Sequence, residues 1–100
     1  MITFPMKLIT VVCEAYAMDN LTTLLQECGA RGWTFFPVRG TGARGDRTGE
    51  MPDFTNMQVQ VIVRPEVAEM ILFRLEAELF PPFGMIAYES EVRVLRPDKF

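Results

Sequence analysis

A single α+β domain with four strands and two helices in the order βαββαβ is predicted by three features of the sequence. These are a length of 100 residues, strand-length apolar or alternating runs, and two amphipathic stripes at helical spacing between them. Residues 7–13 (KLITVVC) are β-branched and apolar at nearly every position, the pattern of a strand covered on both faces. From Ala17 the spacing changes to Ala17, Leu21, Leu24, Leu25 and Cys28, one face of a helix, with Asp19 near its start and Gly29 just past its end. Residues 33–38 (WTFFPV) return to strand, and Pro37, which has no N–H for a ladder, assigns that strand to an edge or a bulge.

Residues 40–55 combine Gly40, Gly42, Gly45, Gly49 and Pro52 with charges of both signs and show neither period, which predicts a long loop. Residues 57–63 (MQVQVIV) alternate, placing Met57, Val59, Val61 and Val63 on one face and Gln58 and Gln60 on the other. Pro65 opens the second helix, whose stripe is Val67, Met70, Ile71, Leu75 and Leu79, and Pro81 and Pro82 end it. Residues 85–95 are extended, with a break expected near Glu89 and Ser90. Two right-handed split βαβ units in this order build a four-stranded antiparallel sheet with both helices on one face, the ferredoxin-like plait. No helix covers the other face, yet the first strand is apolar on both sides. Further copies of the chain are the simplest cover, so an oligomer is expected.

Composition narrows the function. A net charge of −3 and a pI near 4.9 argue against a broad cationic face, so neither nucleic acid nor an anionic membrane surface is an expected partner. The absence of histidine removes His-based acid/base and nucleophile systems and nearly all ordinary zinc or iron sites. Cys13 and Cys28 match no metal or redox spacing and fall on apolar faces, as two buried reduced thiols would in a reducing compartment. The first seven residues carry no signal-peptide pattern, and no apolar run approaches the ~20 residues that span a bilayer. A soluble cytoplasmic protein without membrane insertion is the expectation.

The loop carries the chemistry. Gly40, Thr41, Gly42, Ala43, Arg44 and Gly45 match the string GxGxxG after a predicted strand. A dinucleotide fingerprint must open a helix, however, and residues 46–52 are poor helix formers in a chain too short for a doubly wound sheet. Hairpin loops are usually ~2–5 residues, and loops beyond ~12–15 usually have a function or are disordered. Arg44 and Arg47 interleaved with glycines suit one anion, because guanidinium forks and a bare backbone nest both donate to a phosphate. An anionic small molecule is the expected ligand.

The order of elements, the GARGWT string at residues 29–34, the Gly40-x-Gly42 turn opening the loop and the returning run at residues 56–63 together resemble a PII-type signalling protein. The likeness covers nearly the whole chain from Met6 to Val94 and is greater to the PII-like branch associated with bicarbonate transporters and carboxysomes than to the nitrogen-regulatory branch. The resemblance implies a non-catalytic homotrimer that binds adenine nucleotides, ADP or AMP with ATP as a further candidate, in clefts between subunits. It further implies bicarbonate as a ligand and residues 40–55 as a mobile effector loop engaging a protein partner, such as a transporter or a carboxysome-related protein. By position, Gly40, Thr41, Gly42, Ala43, Arg44 and Arg47 would hold phosphates at the loop base, and Thr34, Gln60 and Ile62 would border the adenine. Phe83, Gly84, Met85 and Ile86 would wrap the nucleotide from the side. Ordinary strand roles remain open for Thr34, Gln60 and Ile62, while Arg93 and Arg96 either reach a neighbour's phosphate or stay solvated.

The departures from the nitrogen-regulatory branch are specific. Met85 and Ile86 follow Gly84 where that branch carries a glycine–lysine signature, which weakens the case for ATP with 2-oxoglutarate. The loop has no tyrosine or serine to modify. Two alternatives keep the fold: an acylphosphatase-like hydrolase, and a structural trimer without nucleotide. The hydrolase requires an asparagine beside an arginine in a phosphate loop, and neither Asn20 nor Asn56 is so placed.

Overall fold

The computed structural model describes residues 1–42, 45–47 and 56–100. Its elements in chain order are β1 (Phe4–Glu14), α1 (Met18–Glu27), β2 (Thr34–Val38), β3 (Gly40–Gly42), β4 (Gly45–Arg47), β5 (Asn56–Val63), α2 (Pro65–Arg74) and β6 (Ile86–Val94). Four of the strands form one antiparallel sheet in the order β2-β5-β1-β6, the arrangement of a ferredoxin-like plait. The short β3 and β4 pair with each other, Gly40 opposite Arg47 and Gly42 opposite Gly45. The base of the glycine-rich loop is therefore a two-stranded ribbon, a feature its aperiodic sequence did not signal.

Register assigns every strand residue to a face, because residues directly opposite in an antiparallel ladder share one side of the sheet. Ile9 lies opposite Val61 and Val11 opposite Val59. These four, with Cys13 and Val63, form the core with Leu21, Leu24 and Leu25 of α1 and Ala68, Ile71, Leu75 and Leu79 at or beyond α2. Both helices thus cover one face, and at ~25 cal/mol per Å2 the burial of these side chains dominates the fold's stability.

Local signals explain the element ends. α1 stops where Gly29 takes φ +98°, with Ala30 N–H donating to Leu25 O at 3.0 Å and Gly29 N–H to Gln26 O at 3.1 Å. That double bond pattern satisfies two helix-end carbonyls and needs a residue tolerant of the left-handed region. α2 begins with Pro65 and runs on through a wider turn, Leu75–Leu79, closed by Phe80 N–H donating to Leu75 O at 2.9 Å. Pro37 stands in β2, at the sheet's edge as its missing N–H requires.

Several expectations need correction. β1 begins three residues earlier than its apolar run. Pro5 is accommodated because the ladder with β5 ends at Lys7, leaving that position paired with β6 alone. β6 is unbroken at Glu89 and Ser90, since Ser90 pairs with Leu8 and Glu89 lies 3.6 Å from Lys7 Nζ. On α2 the buried stripe passes through Ala68 and leaves Met70 half exposed. Cys13 is buried, but Cys28 only partly so, and no disulfide joins them.

Candidate functional site

The helix-free face holds the strand positions expected to border a ligand. Thr34 on β2 lies directly opposite Gln60 on β5, Gln60 opposite Thr10 on β1, and Thr10 opposite Tyr88 on β6, so one polar row crosses all four strands. Ile62, two residues along β5, shares that side with its partner Leu8. The row is graded in burial: Thr10 is 2% exposed at the centre, whereas Tyr88 is 52% exposed at the edge. Phe36 and Ile86, also on this face by register, stand exposed as well.

The ribbon β3–β4 follows β2 after one residue, at the end of the sheet remote from Thr34. It brings the backbones of Gly40, Thr41 and Gly42 opposite Arg47, Asp46 and Gly45. Ala43, Arg44 and residues 48–55 lie outside the described residues.

Residues 83–86 lead into β6 at the opposite edge of the sheet. Phe83 N–H donates to Leu79 O at 2.9 Å, and its ring stacks obliquely on Tyr16 at 5.6 Å between centroids. Phe83 and Met85 pack against the core, so Gly84 and the half-exposed Ile86 are the positions of this segment left to meet a ligand. Adjacent strands are ~4.8 Å apart, which puts the β2 and β6 edges about 14 Å from each other across three intervals. The chain therefore brings Thr34, Gln60 and Ile62 together and holds residues 83–86 away from Thr34.

Charged residues divide into two kinds. Arg74 is saturated, with Nε 2.7 Å from Glu78 Oε2 and Nη2 2.8 Å from Glu27 Oε1, a clasp tying α2 to the end of α1. The hydrogen bonds to Glu78 and Glu27 raise the Arg74 pKa well above its ordinary value, and the same guanidinium holds the Glu78 carboxyl below the usual carboxylate range. Lys7 lies 3.3 Å from Glu91, and that hydrogen bond foremost raises its pKa. Arg31 and Arg64, given no role by the sequence reading, instead donate to main-chain oxygens of the turn Pro97–Lys99, Arg31 Nη1 to Asp98 O and Arg64 Nη2 to Pro97 O, both at 3.0 Å. Their one sequence signal was the place of Arg31 inside the GARGWT string. Arg93 and Arg96 are exposed.

Among the described residues no group of three or more acidic or cysteine side chains is arranged to hold a metal ion, and no helix is long and apolar enough to cross a membrane. The site offers hydroxyl, amide and aliphatic groups on a sheet face and a glycine-rich backbone beyond its edge. That combination is of the kind that suits a ligand with an apolar ring and an anionic end.

Solved structures share this fold. A protein of Thermus thermophilus described as PII-like and signalling is 39% identical, with 100% of this chain and 99% of that one covered and a TM-score of 0.85. CPII, a nitrogen regulatory PII-like protein from Thiomonas intermedia, superposes with a TM-score of 0.90 at 22% identity, covering 99% of this chain and 96% of its own; that structure is bound to ADP, AMP and bicarbonate. Another CPII structure, bound to ADP and bicarbonate, gives a TM-score of 0.89 at 23% identity, with 99% of this chain and 97% of that one covered. Residues 6–99 match the family model described as Nitrogen regulatory protein P-II, and with that span matched the chain belongs to the P-II family.

Proposed function

We propose that the protein is a non-catalytic PII-like regulator that binds an adenine nucleotide, ADP or AMP ahead of ATP, in clefts between the subunits of a homotrimer. Bicarbonate is the second ligand in this reading, and the fold similarity to CPII, which has been crystallised with ADP, AMP and bicarbonate, supports it. Residues 40–55 act as the effector loop, changing conformation with the ligand and engaging a protein partner in the cytoplasm, one tied to bicarbonate transport or the carboxysome. Arg44 and Arg47 with Gly40, Thr41, Gly42 and Ala43 hold the phosphates, Thr34, Gln60 and Ile62 border the base, and residues 83–86 close the cleft.

One observation carries the proposal. Thr34 at the β2 edge and residues 83–86 beside the β6 edge lie about 14 Å apart across the sheet, so a second copy bringing its residues 83–86 to the Thr34 edge would supply the missing wall. Trimerisation also accounts for the apolar helix-free face, where Phe36 and Ile86 would otherwise remain in water. A regulator needs only differential affinity for its loop conformations.

Calorimetric titration with ADP, AMP and ATP, each with and without bicarbonate, tests the reading. About one nucleotide per chain is expected, bound more tightly in bicarbonate. Arg47→Ala should weaken binding about tenfold, the loss of one charge-assisted hydrogen bond, while the assembly and its melting behaviour persist. Absence of binding by all three nucleotides would leave only a structural trimer.

A further inference from the structure

Arg31 and Arg64 differ from the ion-paired cations described above. Among the described residues neither joins an ion pair, and each donates to a neutral carbonyl. The two carbonyls belong to consecutive residues, Pro97 and Asp98, so guanidinium groups from two separate parts of the fold close on adjacent oxygens. Arg31 comes from the connection between α1 and β2, and Arg64 from the junction of β5 and α2. Two forks meeting on neighbouring oxygens form the arrangement that binds a phosphate or another oxyanion. An oxyanion adds a charged acceptor that a guanidinium fork can take bidentately, which a single carbonyl oxygen does not offer.

The pair's place in the fold gives it a role. Arg31 lies three residues before Thr34, and Arg64 two residues after Ile62. Arg64 is extended at φ −68° and ψ 153°, so the alternation of β5 continues through it and sets it on the helix-free side with Gln60 and Ile62. The turn Pro97–Lys99 contains no buried residue, and its own main-chain bonds are the modest 3.3 Å from Lys99 N–H to Arg96 O and 3.1 Å from Phe100 N–H to Pro97 O. Little apolar contact therefore opposes its departure.

We propose that Arg31 and Arg64 are an oxyanion-binding pair masked by the turn Pro97–Lys99, whose carbonyls occupy it until an oxyanion displaces them. The turn is then a strap, and ligand entry and strap release are one exchange reaction at two guanidiniums. The pair lies beyond Thr34 and Ile62, at the end of the sheet away from the loop base that holds the phosphates in the function proposed above, so its oxyanion is a separate ligand and the pair and its strap do not rest on that reading.

The test uses inorganic pyrophosphate, ADP, adenosine and bicarbonate as probes. In the full chain, 1H–15N NMR should show pyrophosphate shifting the side-chain Nε–H signals of Arg31 and Arg64 together with the amides of Lys99 and Phe100. A chain stopped after Arg96 should bind pyrophosphate about tenfold more tightly than the full chain, and the Arg31→Ala/Arg64→Ala variant should abolish both effects. Arginine signals that ignore both pyrophosphate and bicarbonate, or Lys99 and Phe100 amide shifts that survive loss of both arginines, would overturn the proposal. Should the shortened chain fail to fold, the full-chain NMR titration and the double variant still decide. ADP acting like pyrophosphate, with adenosine inert, identifies a nucleotide phosphate. Pyrophosphate acting where ADP does not keeps the pair and removes a nucleotide as its ligand, and a response to bicarbonate alone assigns the pair to that ion.

Discussion

The two faces of this sheet are built from the same strands and finished in different ways. On one side Ile9, Val11, Val59 and Val61 meet seven buried side chains from α1, α2 and the turn after α2, and the chain completes that core by itself. On the other side the central strand still carries Leu8 and Val12, but the neighbours supplied by the chain include Gln58, Gln60, Phe36, Ile86 and Tyr88, several of them exposed. The first face is a solved packing problem. The second mixes apolar cover with polar groups, as a surface does when it must meet another copy and a ligand at once. In the function proposed here, stability and recognition are separated by the thickness of one sheet.

The largest effect should come from placing a charge on the unfinished face. Tyr88→Glu alters a side chain that is already half exposed in the single chain, so the sheet should form with unchanged far-UV circular dichroism. In the proposed trimer three carboxylates would be buried without partners, and sedimentation velocity should report dissociation to single chains. An intact assembly would remove this face as the interface. Next in size is a truncation on the finished face. Ile71→Ala empties a fully buried position. It should cost about 2–5 kcal/mol in urea denaturation of the assembled protein, through lost transfer energy and the cavity left behind.

A smaller effect is expected where the helix layer meets water. The Glu78 carboxyl is held below its ordinary value of 4.5 by Arg74. Its contribution is present above that ordinary value and is lost as pH falls through the lowered folded-state value. Glu78→Gln should therefore reduce the melting temperature slightly at neutral pH, with the difference from the parent closing under acid conditions. A gap that stays constant into strong acid would show that the Arg74 clasp contributes nothing through charge.

How much of this was legible depended on which forces act locally. The alternation of residues 57–63 assigned Val59 and Val61 to the core and Gln58 and Gln60 to the far side because strand period is a property of the backbone itself. Pro37 announced an edge by lacking a donor, and Gly29 announced a stop by tolerating positive φ. Met70 and Ala68 were misassigned because both lie near the helical stripe, and which of them is buried depends on how α2 is rotated on the sheet. The continuity of β6 through Glu89 and Ser90 was hidden because its polar positions are matched by Lys7 and Leu8, more than eighty residues away in the chain. For the same reason the sequence named Thr34 and Gln60 as candidates but held no hint that Arg31 and Arg64 converge on one turn.

The pairing of β1 also governs the order in which the protein can form. Its two sheet neighbours are β5 and β6, and β2 pairs only with β5. Until Asn56–Val63 has emerged from the ribosome, neither β1 nor β2 has a partner within the main sheet, and the most apolar strand must wait while more than forty residues are added. Sheet assembly is thus a late event built on distant contacts, a topology that folds slowly and keeps β1 exposed to aggregation or chaperone capture during synthesis.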